Sequence, residues 1–133
     1  MVIDTSAILA ILQEEPEAAG FARVIALDAR RLMSSVNALE AASVIEARRG
    51  TLGKTDFDNL VTKARIEIVA FSDEDVAEAH EAFRAYGKGR HAAGLNFCDC
   101  VAYALSKRSG EALRFKGDDL RSTDVARVVL ERA

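Results

Sequence analysis

The chain has 133 residues, of which 50% are hydrophobic and 29% charged, enough for one ordinary globular core and too few for two. A single domain over residues 1–133 is therefore expected, and with one proline, eight glycines and no repetitive stretch the sequence excludes a linker, a low-complexity tail or a repeat array. The net charge of −3 argues against a broadly basic nucleic-acid coat, while leaving room for a local basic rim around an acidic site.

The opening "MVIDTSAILAIL" lacks a basic n-region, carries Asp4 and is too short to span a bilayer. It is expected to be neither signal peptide nor membrane anchor, which points to a cytoplasmic protein. "MVID" reads as a first strand, and "TSAILAILQ" as a helix that Asp4 or Thr5 can cap. Pro16 predicts a second helix over about residues 16–29, since proline suits a first helical turn. "RLMS" is a short second strand. Ser34 or Ser35 then caps a third helix through "VNALEAASVIEARR", which Gly50 ends. Thr55 predicts a short fourth helix to about Arg65, followed by a third strand, "IEIVAF". Ser72, with Asp73, Glu74 and Asp75 behind it, starts a fifth helix that stops at Gly87, because acids in the first turn complement the helix dipole. After "GKGRHAAGL", Asn96 caps a helix carrying Asp99 and closed by Gly110. "ALRF" is a fourth strand, "KGDDLRSTD" a turn, and "VARVVL" a candidate fifth strand. Short apolar strands alternating with amphipathic helices predict an α/β fold with a parallel sheet covered on both faces.

Within this pattern three acids stand out by the absence of charge around them. Residues 1–13 hold one charged side chain, Asp4; residues 32–45 hold one, Glu40; residues 92–106 hold one, Asp99. At 29% charged, each window would hold about four if charges were scattered evenly. Glu40 has Val36 and Val44 one helical turn away on either side, and Asp99 has Leu95 and Tyr103, so both project from faces that otherwise read as core. An unpaired carboxylate there costs on the order of several kcal/mol unless paired or bound to a cation. Each acid also has an ordinary structural reading: Asp4 as a helix cap, Glu40 as partner of a buried arginine, Asp99 as acceptor for N–H groups of its own first turn.

Cys98 and Cys100 flank Asp99. Two residues on a helix are about 200° apart, so the thiols face opposite sides and cannot share a metal, and they do not make a C-x-x-C pair. They read as reduced, half-buried packing residues.

Taken jointly, the acids collect at one place. Asp4 lies at the carboxyl end of the first strand, Glu40 follows the second, Asp118 and Asp119 follow the fourth, and Asp99 sits near its helix N-terminus, all at the edge where open parallel sheets build their sites. Four or five converging carboxylates call for a cation, and oxygen-only ligation favours Mg²⁺ or Mn²⁺ over zinc. Phosphoryl chemistry follows from such a cage.

"MVIDTSAIL", "LEAASVIEAR", "GLNFCDCVAYALSK" and "LRFKGDDLRSTDV", in this order and spacing over nearly the whole chain, resemble a PIN-domain ribonuclease of the VapC toxin type. The resemblance implies a three-layer α/β/α PIN domain around a central, mainly parallel sheet of about five strands. It implies an endoribonuclease dependent on Mg²⁺ or Mn²⁺, a homodimer, and a small VapB-type antitoxin that blocks the site. Carried over by position, Asp4, Glu40, Asp99 and Asp119 form the metal and catalytic cluster, with Asp118 as the substitute for Asp119. Cys98 stands where glycine is common in the family, and Leu120 where phenylalanine is; neither removes a ligand.

The expected chemistry is attack of a metal-activated water on the phosphodiester, with 5′-phosphate and 3′-hydroxyl products and no protein nucleophile. Thr5 and Ser6 are placed to support the carboxylates by hydrogen bonds or, equally, to cap their helix. Lys88, Arg90 and His91 in the loop before the Asp99 helix, with Lys116 and Arg121 beside the acidic turn, supply a basic rim for RNA, which reads otherwise as solvated loop. With 6% aromatic residues and no tryptophan, RNA shape rather than base stacking is the expected basis of recognition. Two further classes fit parts of the pattern. A receiver-like phosphoacceptor module would want an acidic doublet after the first strand, where Thr5 and Ser6 stand. A catalytically silent PIN-fold binding protein would have no need of all four acids.

Overall fold

A computed structural model of the chain describes residues 1–89, 91 and 93–116. Among these residues nine elements follow in order: β1 (Val2–Ile3), α1 (Thr5–Leu12), α2 (Ala18–Leu27), β2 (Leu32–Ser34), α3 (Ser35–Lys63), β3 (Glu67–Val69), α4 (Asp73–Tyr86), α5 (Phe97–Ser109) and β4 (Leu113–Arg114). The four strands form one parallel sheet in the order β3-β2-β1-β4. Val2 lies opposite both Leu32 and Leu113, so β1 is central and paired on both sides.

Strand alternation builds two cores from one sheet. Val2, Leu32 and Leu113 face one side and pack with Ala79, Ala82, Ala102 and Leu105 of α4 and α5. Ile3 and Met33 face the other and pack with Ile8, Phe21, Ile25, Ala41, Ile45 and Phe57 of α1, α2 and α3. The result is the expected three-layer α/β/α arrangement. The chain first runs outward from β1 to β3 and then returns past both strands to place β4 on the far side of β1. This reversal puts the switch point of the sheet between β1 and β4, where Asp4 leaves the central strand.

Several boundaries differ from the sequence-based expectation, each for a local reason. Pro16 does not open α2; it lies in a turn, and α2 begins at Ala18 after Glu17. No helix starts at Thr55, because the chain is helical again directly after Gly50, whose φ of 66° and ψ of −155° kink α3 into two helical parts. The strands are shorter than the apolar runs that announced them, because Asp4, Ser34 and Ser72 each end an extended stretch by capping the next helix. Four strands are present among the described residues; the candidate fifth, "VARVVL", lies outside them.

Candidate functional site

Asp4 is the N-cap of α1, and this single backbone position gives it two roles. Its backbone N–H donates to the Arg114 carbonyl at 2.9 Å, continuing the β1–β4 ladder, while Oδ2 accepts from Ser6 N–H at 3.1 Å and from Ser6 Oγ at 2.6 Å. Only 3% of its surface is exposed. Oδ1 takes no hydrogen bond from the described residues, and among them no Lys or Arg pairs with the carboxylate. Burial pushes the Asp4 carboxyl up to about 7; the Ser6 hydrogen bonds oppose that rise, and the negative charges of Asp99 and Glu40 add to it.

Glu40 and Asp99 lie near enough for their negative charges to act on Asp4. Glu40 is partly buried on α3, and no buried arginine pairs with it among the described residues. Asp99 is partly buried in the first turn of α5, where Oδ2 accepts from Asn96 N–H at 3.1 Å while Asn96 Oδ1 accepts from Asp99 N–H at 2.9 Å. This reciprocal capping box orients the carboxylate and satisfies two helix N–H groups. The structural readings of Asp4 and Asp99 as caps are thus realised. Asp118 and Asp119 lie outside the described residues. Among the described residues, no three His, Cys, Asp or Glu side chains already stand at cation-binding distance.

Around the acids, Ser6 Oγ also accepts from Lys116 N–H at 2.8 Å, so one hydroxyl ties Asp4 to the chain that follows β4. Thr5 Oγ1 turns away from the carboxylates and donates to the Asn37 carbonyl at 3.1 Å. Cys98 sits among the three acids. Burial, a hydrogen bond to Glu40 and the neighbouring negative charges push its thiol up to about 12, while burial and Asp99 push Cys100 up to about 11. Neither is a thiolate at neutral pH.

The basic residues named from sequence are less uniform. Lys88 is exposed, with its N–H bonded to the Leu95 carbonyl. His91 is exposed but accepts from Ala93 N–H at 2.9 Å through Nδ1 and meets Tyr86 edge-on at 5.1 Å, so it shapes its loop. Lys116 pairs with Glu15 and, at 3.5 Å, with Glu17. Arg90 and Arg121 lie outside the described residues.

Two residues at the site escaped the sequence reading. Asn37 is fully buried on α3, and Arg114 on β4 is 5% exposed, its guanidinium 4.0 Å above the Phe21 ring. A lone amide one turn before Glu40, among Val36, Ala38 and Ala41, was the available signal for the first. The arginine in "ALRF" carries no local pattern that marks it as buried.

The profile of the PIN domain family matches residues 1–126. Ribonuclease VapC30 of Mycobacterium tuberculosis is 48% identical over 130 residues, covering 98% of this chain and 99% of that protein. Ribonuclease VapC of Mycolicibacterium smegmatis is 48% identical over 128 residues, covering 96% and 99%. Among solved structures, Mycobacterium tuberculosis VapC20, described as a sarcin-ricin loop cleaving toxin, superposes with a TM-score of 0.77 at 13% identity, over 96% of this chain and 97% of that one. A toxin-antitoxin complex from Klebsiella pneumoniae gives a TM-score of 0.72 at 12% identity, over 99% and 98%. The family match over residues 1–126 and 48% identity to two VapC ribonucleases over nearly the whole chain establish that the chain belongs to the PIN-domain family, within its VapC type.

Proposed function

We propose that the protein is the toxin of a toxin–antitoxin pair and acts as a metal-dependent endoribonuclease at a site formed by Asp4, Glu40, Asp99 and Asp119. The observation that carries this reading is Asp4: a buried carboxylate at the sheet's switch point, with no basic partner among the described residues and with two further acids acting on it. Such a site favours either a proton or a cation, and oxygen donors suit Mg²⁺ or Mn²⁺. Asp4 and Asp99 would hold the ion, with Glu40 and Asp119 completing the set and Asp118 as the substitute for Asp119. Asp119 lies three residues beyond Lys116, whose N–H is tied to Ser6, so about 11 Å of chain is enough to bring it to the site. Once bound, the ion supplies Lewis-acid activation of water and charge neutralisation at the phosphodiester.

The chain's own residues do the rest. Ser6 holds Asp4 Oδ2, while Oδ1 takes no hydrogen bond from the described residues and is assigned to the ligand. Asn96 fixes the Asp99 carboxylate against its helix. With both thiols protonated, neither cysteine is a competing nucleophile, which fits hydrolysis by water to 5′-phosphate and 3′-hydroxyl ends. Lys88 and His91, with Arg90 and Arg121, are assigned to guiding the RNA, and Lys116 joins them by releasing its ion pairs.

Family membership supports a cognate VapB-type antitoxin and a homodimer. The groove between α4 and α5, lined by Phe71, Val76, Phe83 and Phe97, leaves Phe97 80% exposed, an apolar surface consistent with protein partners. No helix among the described residues is long and apolar enough to cross a membrane; we assign the activity to the cytoplasm, where its RNA is. The test is cleavage of structured cellular RNA by the purified protein in EDTA, then with Mg²⁺ or Mn²⁺. The expected result is cleavage that requires the ion and disappears in Asp99→Asn. Equal cleavage in EDTA overturns the metal assignment, and absence of cleavage by metal-replete protein leaves a silent binding protein as the better reading.

A further inference from the structure

Three acids sit on three different helices, and something must hold those helix ends in register. Asp4 caps α1, Glu40 lies in the second turn of α3, and Asp99 lies in the first turn of α5. Asn37 touches all three elements. Its backbone carbonyl accepts from Thr5 Oγ1, the residue after Asp4, at 3.1 Å in a buried bond. Its side-chain Nδ2 donates to the carbonyl of Cys98, the residue before Asp99, at 3.0 Å. On its own helix it precedes Glu40 by three residues, close to one turn. Each hydrogen bond thus ends one residue away from a carboxylate.

Resting on the metal-site reading above, we infer that Asn37 is the positioning residue of this site, fixing the spacing of Asp4, Glu40 and Asp99 on which divalent-ion affinity depends. The amide is not explained by packing. It is fully buried, yet its Oδ1 takes no hydrogen bond among the described residues, so an apolar residue of similar size would fill the space without stranding a polar atom there. What an apolar residue cannot do is bind the α5 backbone while its own carbonyl is bound from α1. Carboxylates that repel one another drift apart unless tied, and a cation site loses affinity as its donors separate.

The test is direct Mn²⁺ binding by calorimetry, alongside melting temperature in EDTA, for the parent, Asn37→Ala, Thr5→Val, Thr5→Ser and Ile45→Val. Ile45→Val is a core change on the same helix that touches neither bond. Asn37→Ala and Thr5→Val are expected to weaken Mn²⁺ binding about tenfold. Thr5→Ser, which keeps the hydroxyl, should restore it, and Ile45→Val should lower melting while leaving Mn²⁺ affinity at the parent value. The double variant should lose less than the product of the single losses, since both bonds serve one tie. If Asn37→Ala yields no folded protein, Thr5→Val against Thr5→Ser decides. Parent-like Mn²⁺ affinity in Asn37→Ala or Thr5→Val overturns the inference, as does an equal loss in Ile45→Val. A parent that binds no Mn²⁺ overturns the metal-site reading and this inference together, and is distinguished from the other outcomes by the parent measurement alone.

Discussion

The Ser6 hydroxyl donates to Asp4 Oδ2 at 2.6 Å and accepts from the Lys116 N–H at 2.8 Å, so one oxygen restrains both the buried acid of the site and the chain leaving β4. A Thr or Ser after an N-cap often serves only its helix. Here the hydroxyl works across the sheet.

Ser6→Ala removes a bond that favours the charged form of Asp4, so the Asp4 carboxyl should rise further above its ordinary value. The low-pH limb of Mn²⁺ uptake and of RNA cleavage should move to higher pH, with a stability loss of about 1–2 kcal/mol from the two lost hydrogen bonds. A pH profile superimposable on the parent's would show that Ser6 does not tune Asp4.

In EDTA the protein should lose stability as pH rises between about 4 and about 7. Asp4 titrates near 3.8 when unfolded and near 7 when folded, so the folded state binds the extra proton throughout that window. Its contribution is fully present below the unfolded value and is lost as pH climbs through the folded one, by on the order of a few kcal/mol. Urea midpoints across this range should therefore fall for the parent in EDTA, stay level in Asp4→Asn, and recover at the upper end when Mn²⁺ is added. A parent midpoint that rises over the same range contradicts the assignment.

How much of this was legible in the sequence differs between fold and site. The layers followed from apolar period, because Val2 and Ile3 must face opposite sides of a two-sided sheet and each helix had a matching face. Asp4, Glu40 and Asp99 were visible because charge was missing around them. Pro16 misled because its fixed φ suits a turn as well as a first helical turn, and only the packing of Phe21 and Ile25 decides where α2 starts. Asn37 was hidden because its partners, Thr5 and Cys98, are 32 and 61 residues away in sequence, and no local pattern encodes a backbone acceptor.

Cys98→Ala and Cys100→Ala should each retain cleavage activity. The thiols are held at about 12 and about 11, so neither supplies a nucleophile at neutral pH. Cys100 is buried in the α4–α5 core, and its replacement should cost about 1 kcal/mol as a small cavity. In the native parent, iodoacetamide labelling read by mass spectrometry should be slow at both positions. Rapid labelling of Cys98 with parallel loss of cleavage would reopen a thiol mechanism.

Gly50→Ala should lower stability by about 1–3 kcal/mol without altering Mn²⁺ affinity. The φ of 66° and ψ of −155° at this break in α3 belong to a region that side chains avoid, yet a Cβ there would meet nothing within 4 Å, so the cost is conformational alone. The break lies well beyond Glu40 along the helix, so the acids should keep their spacing. A change in Mn²⁺ affinity comparable to that of Asn37→Ala would show that the kink, too, sets the site.

Asp99→Asn and Asn96→Ala separate the two duties of the α5 terminus. In Asp99→Asn the amide oxygen can still accept from Asn96 N–H, so most of the cap survives, while one negative charge near Asp4 is gone. Melting in EDTA should be unchanged or slightly higher, because like-charge repulsion is relieved, whereas Mn²⁺ binding and cleavage should both collapse. Asn96→Ala does the opposite: it removes the side-chain acceptor for Asp99 N–H, at about 1 kcal/mol of stability, and leaves every carboxylate in place. Its cleavage rate should stay within a few-fold of the parent once Mn²⁺ is saturating, a modest loss that reflects a less firmly oriented Asp99. If Asp99 were only a cap, the two variants would rank the other way, with stability falling in Asp99→Asn and turnover intact. Cleavage by Asp99→Asn at near the parent rate would remove this residue from the metal site.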